Sequence, residues 1–230
     1  MERMRRKLLV VCLLTLCACK PANMEEKRPL AVEPLRYVPI GDSYTVGTGV
    51  APQEAWPMLV ADLLRKEGVQ VTVPANPARN GRTTKNAIDM QLPVLKAEHA
   101  NVSTLMIGAN DLVQGVDADT FRAQVATLMD AMLEALPSKN RLLVLTIPDF
   151  SITKGGGGFA TDEQIAERNS IIRDEAEDRG LRVVDLLKTS QLMKDDPTLV
   201  AADGLHPSAK LHKQWAAMVV SAFEETLAKS

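Results

Sequence analysis

The chain has 230 residues, is 46% hydrophobic and 24% charged, and carries a net charge of −2. This is the makeup of one ordinary globular domain, and it excludes a disordered chain, a collagen-like chain and a polytopic membrane protein. Aromatic residues are only 3% and there is no basic excess, so neither a base-stacking platform nor a phosphate-backbone surface is expected, and nucleic acid is not a partner.

The N-terminus reads as an address. Arg3, Arg5, Arg6 and Lys7 form a basic stretch, and Leu8 to Cys19 is a mostly apolar run of 12 residues, LLVVCLLTLCAC. A helix needs about 20 apolar residues to span a bilayer, so this run fits a signal peptide and not an anchor. No A-x-A cleavage site follows. Leu16-Cys17-Ala18-Cys19 has the form of a bacterial lipobox, whereas Cys17 is preceded by Leu16, which is not small. The expectation is cleavage after Ala18 and lipid on Cys19, giving a membrane anchor and a place in the cell envelope, periplasmic or on the outer surface; ordinary secretion is the alternative. Losing residues 1–18 removes Arg3, Arg5, Arg6, Lys7 and Glu2, taking the net charge from −2 to −5. Cys19 is then the one cysteine left, so no internal disulfide and no cysteine zinc ligand is expected. The polar, proline-spotted residues 19–34 read as a tether, and residues 35–230 as the folded domain.

Strands and helices then alternate. Leu35–Ile40 is a short apolar run stopped by Gly41, a buried strand. Helix 54–66 carries Trp56, Leu59, Val60, Leu63 and Leu64 on one stripe. A second strand spans 69–73 and a polar helix 83–98. Val102–Ile107 is the third strand. Helix 117–136 keeps Phe121, Val125, Leu128, Met132 and Leu136 at three-to-four spacing. Arg141–Ile147 is the fourth strand, ended by Pro148. Helix 161–179 has an acidic exposed face and Gly180 as its stop. A fifth strand covers 181–186, and a last helix covers 208–228. Apolar strands between amphipathic helices imply a parallel sheet of about five strands covered on both faces, a three-layer α/β/α domain. Gly155–Gly158 lacks the Gly-Lys-Ser/Thr of a phosphate loop and reads as a flexible surface loop. Gly47-Thr48-Gly49 lacks the later glycine of a dinucleotide fingerprint.

Ligands of an open parallel sheet sit beyond the carboxyl ends of its strands, and four short motifs fall there: Gly41-Asp42-Ser43-Tyr44, Asn80-Gly81-Arg82-Thr83-Thr84, Gly108-Ala109-Asn110-Asp111, and Asp203-Gly204-Leu205-His206-Pro207. Taken singly, each is ordinary turn chemistry. Together they hold the parts of an acyl-transfer site. Ser43 sits just past a strand, where a nucleophile is well placed, but a serine hydroxyl needs a base. Of three histidines, His99 falls at a helix end, where a cation suits the dipole, and His212 falls inside the last helix as a surface or packing residue. His206 lies in a loop three residues after Asp203, so one loop can present a base and the carboxylate that orients it. Gly81 can bring a backbone N–H close to a developing oxyanion, and Asn110 can supply a side-chain amide.

The order Gly-Asp-Ser, Gly, Gly-x-Asn-Asp, Asp-x-x-His resembles the SGNH or GDSL family of serine esterases and lipases, from about Arg36 to Trp215. The resemblance implies the flavodoxin-like α/β/α fold of SGNH hydrolases. It implies a triad of Ser43, Asp203 and His206, and an oxyanion hole from Ser43, Gly81 and Asn110. It further implies a carboxylic ester or thioester substrate, lipid or acylated small molecule or saccharide, with no cofactor and no metal. Lysophospholipase- or arylesterase-like cleavage is the first expectation, and removal of O-acetyl groups from polysaccharide the alternative. Tyr44 stands where the family's name has leucine and is expected to stay clear of the chemistry. Arg82, following Gly81, is expected to put a positive charge at the pocket rim. Two other classes compete. A metal hydrolase using Asp42, Asp203, His206 and His212 lacks the His-Glu-x-x-His spacing. A non-catalytic envelope binding protein has no need of Ser43, Asn110 and His206 together.

Overall fold

A computed structural model of the chain describes residues 33–229. The leader 1–18, Cys19 and all but Glu33 and Pro34 of the tether lie outside the described residues. In chain order the elements are β1 (Leu35–Gly41), α1 (Ser43–Val46), α2 (Trp56–Lys66), β2 (Val71–Thr72), α3 (Thr84–Asn86), α4 (Leu92–Ala97), β3 (Val102–Met106), α5 (Ala109–Val113), α6 (Ala118–Ala135), β4 (Leu142–Leu145), α7 (Asp162–Asp178), β5 (Arg182–Val184), α8 (Leu187–Gln191) and α9 (Ala209–Leu227). The strands form one parallel sheet in the order β2-β1-β3-β4-β5. Helices α2 and α9 pack together on one face, and α3, α4, α6 and α7 cover the other.

The central strands β3 and β4 are buried at every position, which is why they read as unbroken apolar runs. Helix α6 buries Phe121, Val125, Leu128, Met129 and Met132, the stripe its spacing predicts plus one neighbour. Helix α2 buries Trp56, Val60 and Leu64, while Leu59 and Leu63 are only partly covered. Strand β2 is shorter than the apolar pattern suggests. It pairs with β1 only at Leu35↔Val71 and Arg36↔Thr72, and Pro74 removes the next donor on this edge. Helix α7 opens on a capping box between Thr161 and Gln164 and stops at Gly180, whose φ is +61°.

The polar helix expected over 83–98 is present but not uniform. Thr83 caps it, and a π-helical turn, Ala87–Gln91, joins α3 to α4. The wider turn rotates Gln91 inward. Its amide oxygen accepts from Gly41 N at 2.9 Å and its nitrogen donates to Gly41 O at 2.8 Å, clamping the end of β1. His212, placed by its sequence context as a surface or packing residue, is a packing residue. It is fully buried, its Nδ1 accepts from Trp56 N at 3.1 Å, and its ring meets Trp215 edge-on.

Strand order now decides where a site can sit. The sheet reverses its winding between β1 and β3, which are neighbours although β2 lies between them in sequence. The crevice beyond the carboxyl ends at such a switch point is where open α/β sheets bind ligands. Ser43 follows β1 and Asn110 follows β3.

Candidate active site

The turn carrying Ser43 is tightly specified. A Cβ on Gly41 would stand 2.1 Å from Thr45 Oγ1 and 2.5 Å from Met106 O, so only glycine lets the chain leave β1 against β3. Asp42 then caps α1: its Oδ1 accepts from Tyr44 N at 3.0 Å, and its backbone oxygen accepts from Thr45 N and Val46 N. Ser43 occupies the first helical position, where a backbone N–H has no intrahelical acceptor. Among the described residues, Ser43 N–H donates to no protein atom, nor does Gly81 N–H, so both amides are available to an incoming oxygen.

Asn110 is held by two acceptors. Its Nδ2 donates to Asp42 Oδ2 and to Arg82 O, each at 3.2 Å. Two acceptors fix which end of the amide is nitrogen. Both amide hydrogens are engaged, by contacts longer than the usual 2.9–3.0 Å of N–H···O bonds, so an oxyanion would have to share or displace one of them. Gly108 begins this loop at φ +126°, where an added Cβ would meet the Phe121 ring at 2.8 Å. Asp111, next to Asn110, takes Thr84 N at 2.9 Å and Thr84 Oγ1 at 3.2 Å, which ties the loop after β3 to the loop of Gly81. Gln114 Nε2 donates to Gly81 O at 2.9 Å, and Thr48 Oγ1 donates to Asn80 Oδ1 at 2.6 Å.

The fourth loop carries the candidate base, His206. Asp203 Oδ2 is 2.7 Å from His206 Nδ1, while Asp203 Oδ1 accepts from Leu205 N at 2.9 Å and His206 N at 3.0 Å. Partial burial pushes this carboxyl upward. The two backbone N–H groups and the imidazole outweigh it, so Asp203 stays below the usual carboxylate range. Ser43, Asn110 and His206 line one cleft of about 220 Å³, walled by Tyr44, Val113, Phe150, Phe159 and Leu205 among others. Among the described residues no hydrogen bond joins Ser43 Oγ to His206. Gly81 and Arg82 are both outside the lining of this cleft, and their loop meets it only through the Arg82 carbonyl, which holds Asn110. The described residues contain no group of three or more His, Cys, Asp or Glu side chains gathered as a metal ion requires.

One expectation is corrected. Tyr44 does not stay clear of the chemistry: it lines the cleft, and its ring centroid is 5.1 Å from that of His206. One residue past Ser43, α1 turns it back towards the loop before α9. The glycine run after Lys154 is a surface loop, exposed at Gly155, Gly157 and Gly158, and it is tied down at its start. Gly155 N donates to Gly204 O at 2.8 Å, a Cβ on Gly156 would lie 2.0 Å from Phe150 O, and the run delivers Phe159 to the cleft. Phe159 and Val113 carry no sequence signal for this role, since neither falls in one of the four motifs, and Leu205 lies between the Asp203 and His206 that drew attention instead.

The Asp42 carboxyl is pushed up to about 7, first by burial and then by the charge of Asp111, against the pull of Tyr44 N–H and the Asn110 amide. Folded Asp42 therefore keeps its proton to about pH 7, whereas an unfolded Asp loses it near pH 4. Between those values the folded state binds more protons, so this group's stabilisation is lost as pH rises through the window. His212 acts in the opposite sense. Burial holds its ring down to about 4, so its stabilisation is lost as pH falls from about 6.5 towards 4. Comparing denaturant unfolding of wild type and Asp42→Asn isolates Asp42. From pH 5 to pH 7 the wild type should lose about 2–3 kcal/mol relative to the variant. Parallel pH profiles for the two proteins would mean that Asp42 is ionised throughout.

Comparison with known proteins agrees with this geometry. The model of the GDSL-like lipase/acylhydrolase family matches residues 40–214, most of the chain and all four motif loops. The chain belongs to the GDSL-like lipase/acylhydrolase family. Its relatives include a multidomain esterase of Ruminococcus flavefaciens, 30% identical over 128 residues, covering 53% of this chain and 16% of that protein. An arylesterase of Vibrio mimicus is 28% identical over 97 residues, covering 42% of this chain and 48% of that one. The matched stretches thus span less than half the length of either relative. The crystal structure of a lipase/acylhydrolase from Enterococcus faecalis superposes with a TM-score of 0.67 at 23% identity, over 81% of this chain and 94% of that one. At that identity the likeness speaks for the fold: the parallel five-stranded sheet with flanking helices is the GDSL one.

Proposed function

We propose that this GDSL-family chain is a serine esterase that hydrolyses carboxylic esters through an acyl-enzyme. The observation that carries the reading is the shared cleft. Ser43 and His206 face it together, and Asp203 Oδ2 sits 2.7 Å from the His206 Nδ1 that must be held for the other nitrogen to act as base. His206 takes the proton of Ser43 Oγ as it attacks the ester carbon. The amides of Ser43 and Gly81, with Asn110, meet the charge that grows on the carbonyl oxygen. The alcohol leaves with the proton from His206, and water repeats the sequence to free the acid. The aromatic and aliphatic cleft walls favour an apolar acyl or aryl group, which supports an arylesterase- or lysophospholipase-like activity ahead of deacetylation of polysaccharide. The test is a panel of nitrophenyl esters of rising chain length, a lysophospholipid, an acyl thioester and an acetylated sugar, with a serine-directed phosphonate as active-site label. Absence of both turnover and labelling would leave a non-catalytic binding protein.

We also propose that Cys19 is lipidated and holds the protein at the cell envelope. The support is Leu16-Cys17-Ala18-Cys19 after a 12-residue apolar run. One acyl chain binds a membrane only marginally, whereas the several chains of a bacterial lipoprotein hold firmly. In detergent phase partitioning the wild type should enter the detergent phase and Cys19→Ala the aqueous phase. Wild type found wholly in the aqueous phase rules the anchor out.

A further inference from the structure

On the other side of the Ser43 turn, towards β2, lies a second concavity of about 320 Å³. Its polar rim is cationic. Arg79 and Arg82 line it, with Asn76, beside a floor that includes Pro77, Met90 and Val94, and no acidic side chain contributes to the lining. The acids of the adjoining helix are already engaged: Asp89 takes Lys85 Nζ at 2.6 Å, and Glu98 pairs with Arg36 at 3.4 Å. Arg79 spends one nitrogen on the backbone oxygens of Asn76 and Ala78, at 2.8 and 2.7 Å, which fixes the guanidinium without neutralising it. The half-buried Arg82 guanidinium has no hydrogen-bond or ion-pair partner among the described residues. Two arginines without a counter-charge in one concavity repel each other, and an anion relieves this better than water does.

The groove is coupled to the ester site through three contacts. Arg82 directly follows Gly81, and its own carbonyl accepts from Asn110 Nδ2. Gln91, which also lines the groove, clamps Gly41 two residues before Ser43. Arg82 thus belongs both to the groove and, through its carbonyl, to the loop that holds Asn110.

We propose that this groove is an anion-recognising subsite of the ester site, in which Arg82 and Arg79 bind a carboxylate or phosphate borne by the substrate. The inference rests on the esterase reading above and adds the substrate class: esters with an anionic group on one half. Arg82 and Arg79 touch the substrate away from the reacting atoms, so they set specificity and leave the chemical step to Ser43 and His206.

The experiment uses matched esters. On the acyl side, mono-4-nitrophenyl succinate is compared with 4-nitrophenyl butyrate; on the alcohol side, 4-acetoxybenzoate is compared with its methyl ester. The readout is the ratio of kcat/KM for the anionic ester to that for its neutral partner, which cancels any general loss of active enzyme. Wild type should favour the anion about 5–20-fold in one pair, the scale of a charge-assisted hydrogen bond, and that pair identifies which half enters the groove. The preference should shrink with salt. It should persist in Arg82→Lys, fall to about unity in Arg82→Gln with Arg79→Gln, and invert in Arg82→Glu. Ratios near unity in both pairs, or ratios indifferent to these substitutions while neutral esters are still cleaved in a Ser43-dependent way, overturn the subsite and leave the esterase standing. No cleavage of any of the four esters overturns the esterase reading, and the subsite with it.

Discussion

Ser43→Ala should lower kcat on a neutral nitrophenyl ester by about 10⁵–10⁶, the loss expected when a nucleophile that works as a unit with its base is removed. In the proposed mechanism the hydroxyl is the atom that bonds to the ester carbon, and nothing else in the cleft replaces it. His206 remains paired to Asp203, and the amides of Ser43 and Gly81 are backbone groups that the substitution leaves in place. What survives is therefore binding and a small background rate. The fold should be untouched, because Ser43 Oγ bonds to no protein atom among the described residues and the turn is held by Asp42, Gly41 and Gln91 instead. KM should stay within a few-fold, melting temperature should be unchanged, and phosphonate labelling should vanish. Near-normal turnover in Ser43→Ala would remove the acyl-enzyme from the mechanism.

Asn110→Ala should lower kcat by about 10²–10³ and leave KM nearly alone. The amide would meet charge that exists only once the carbonyl carbon becomes tetrahedral, so its contribution appears in the transition state and not in substrate binding. The structure adds a second consequence. Asn110 Nδ2 is also the partner of Asp42 Oδ2 and of Arg82 O, so the variant should lose about 1–3 kcal/mol of stability from acceptors left unpaired. Asn110→Asp should be worse on both counts, since its carboxylate would face both the buried Asp42 and the oxyanion. If Asn110 served only to build the turn, the folded fraction of Asn110→Ala would turn over at the normal rate. Measuring kcat per labelled active site together with the melting temperature separates the two roles.

Much of the candidate site is legible without coordinates because its determinants are local. Asp203 and His206 are three residues apart, so the bond between them needs only one loop, and Gly41 announces the end of a strand by its own chemistry. Gln91 shows the opposite case. Its role depends on a π-turn that shifts the helical phase, and a polar residue in a polar helix gives no sign of facing Gly41 fifty residues earlier. Tyr44 misled for a related reason. Its departure from the leucine of the family's name says nothing about where the ring goes, and a four-residue helix brings it round against His206.

The sequence by itself determined the succession of strands and helices, the parallel sheet, and the four loops in which the candidate chemistry lies, because hydrophobic period, glycine stops and short motif spacings are properties of neighbouring residues. Only the tertiary structure decided that β1 and β3 are neighbours, so that Ser43 and Asn110 meet at the switch point. It alone showed that the Asn110 amide is shared between Asp42 and Arg82, and that Arg79 and Arg82 face a groove without an acid. Periodicity tells which side of an element is buried; what lies against that side depends on segments dozens of residues away, and the packing that joins them leaves no local trace in either segment.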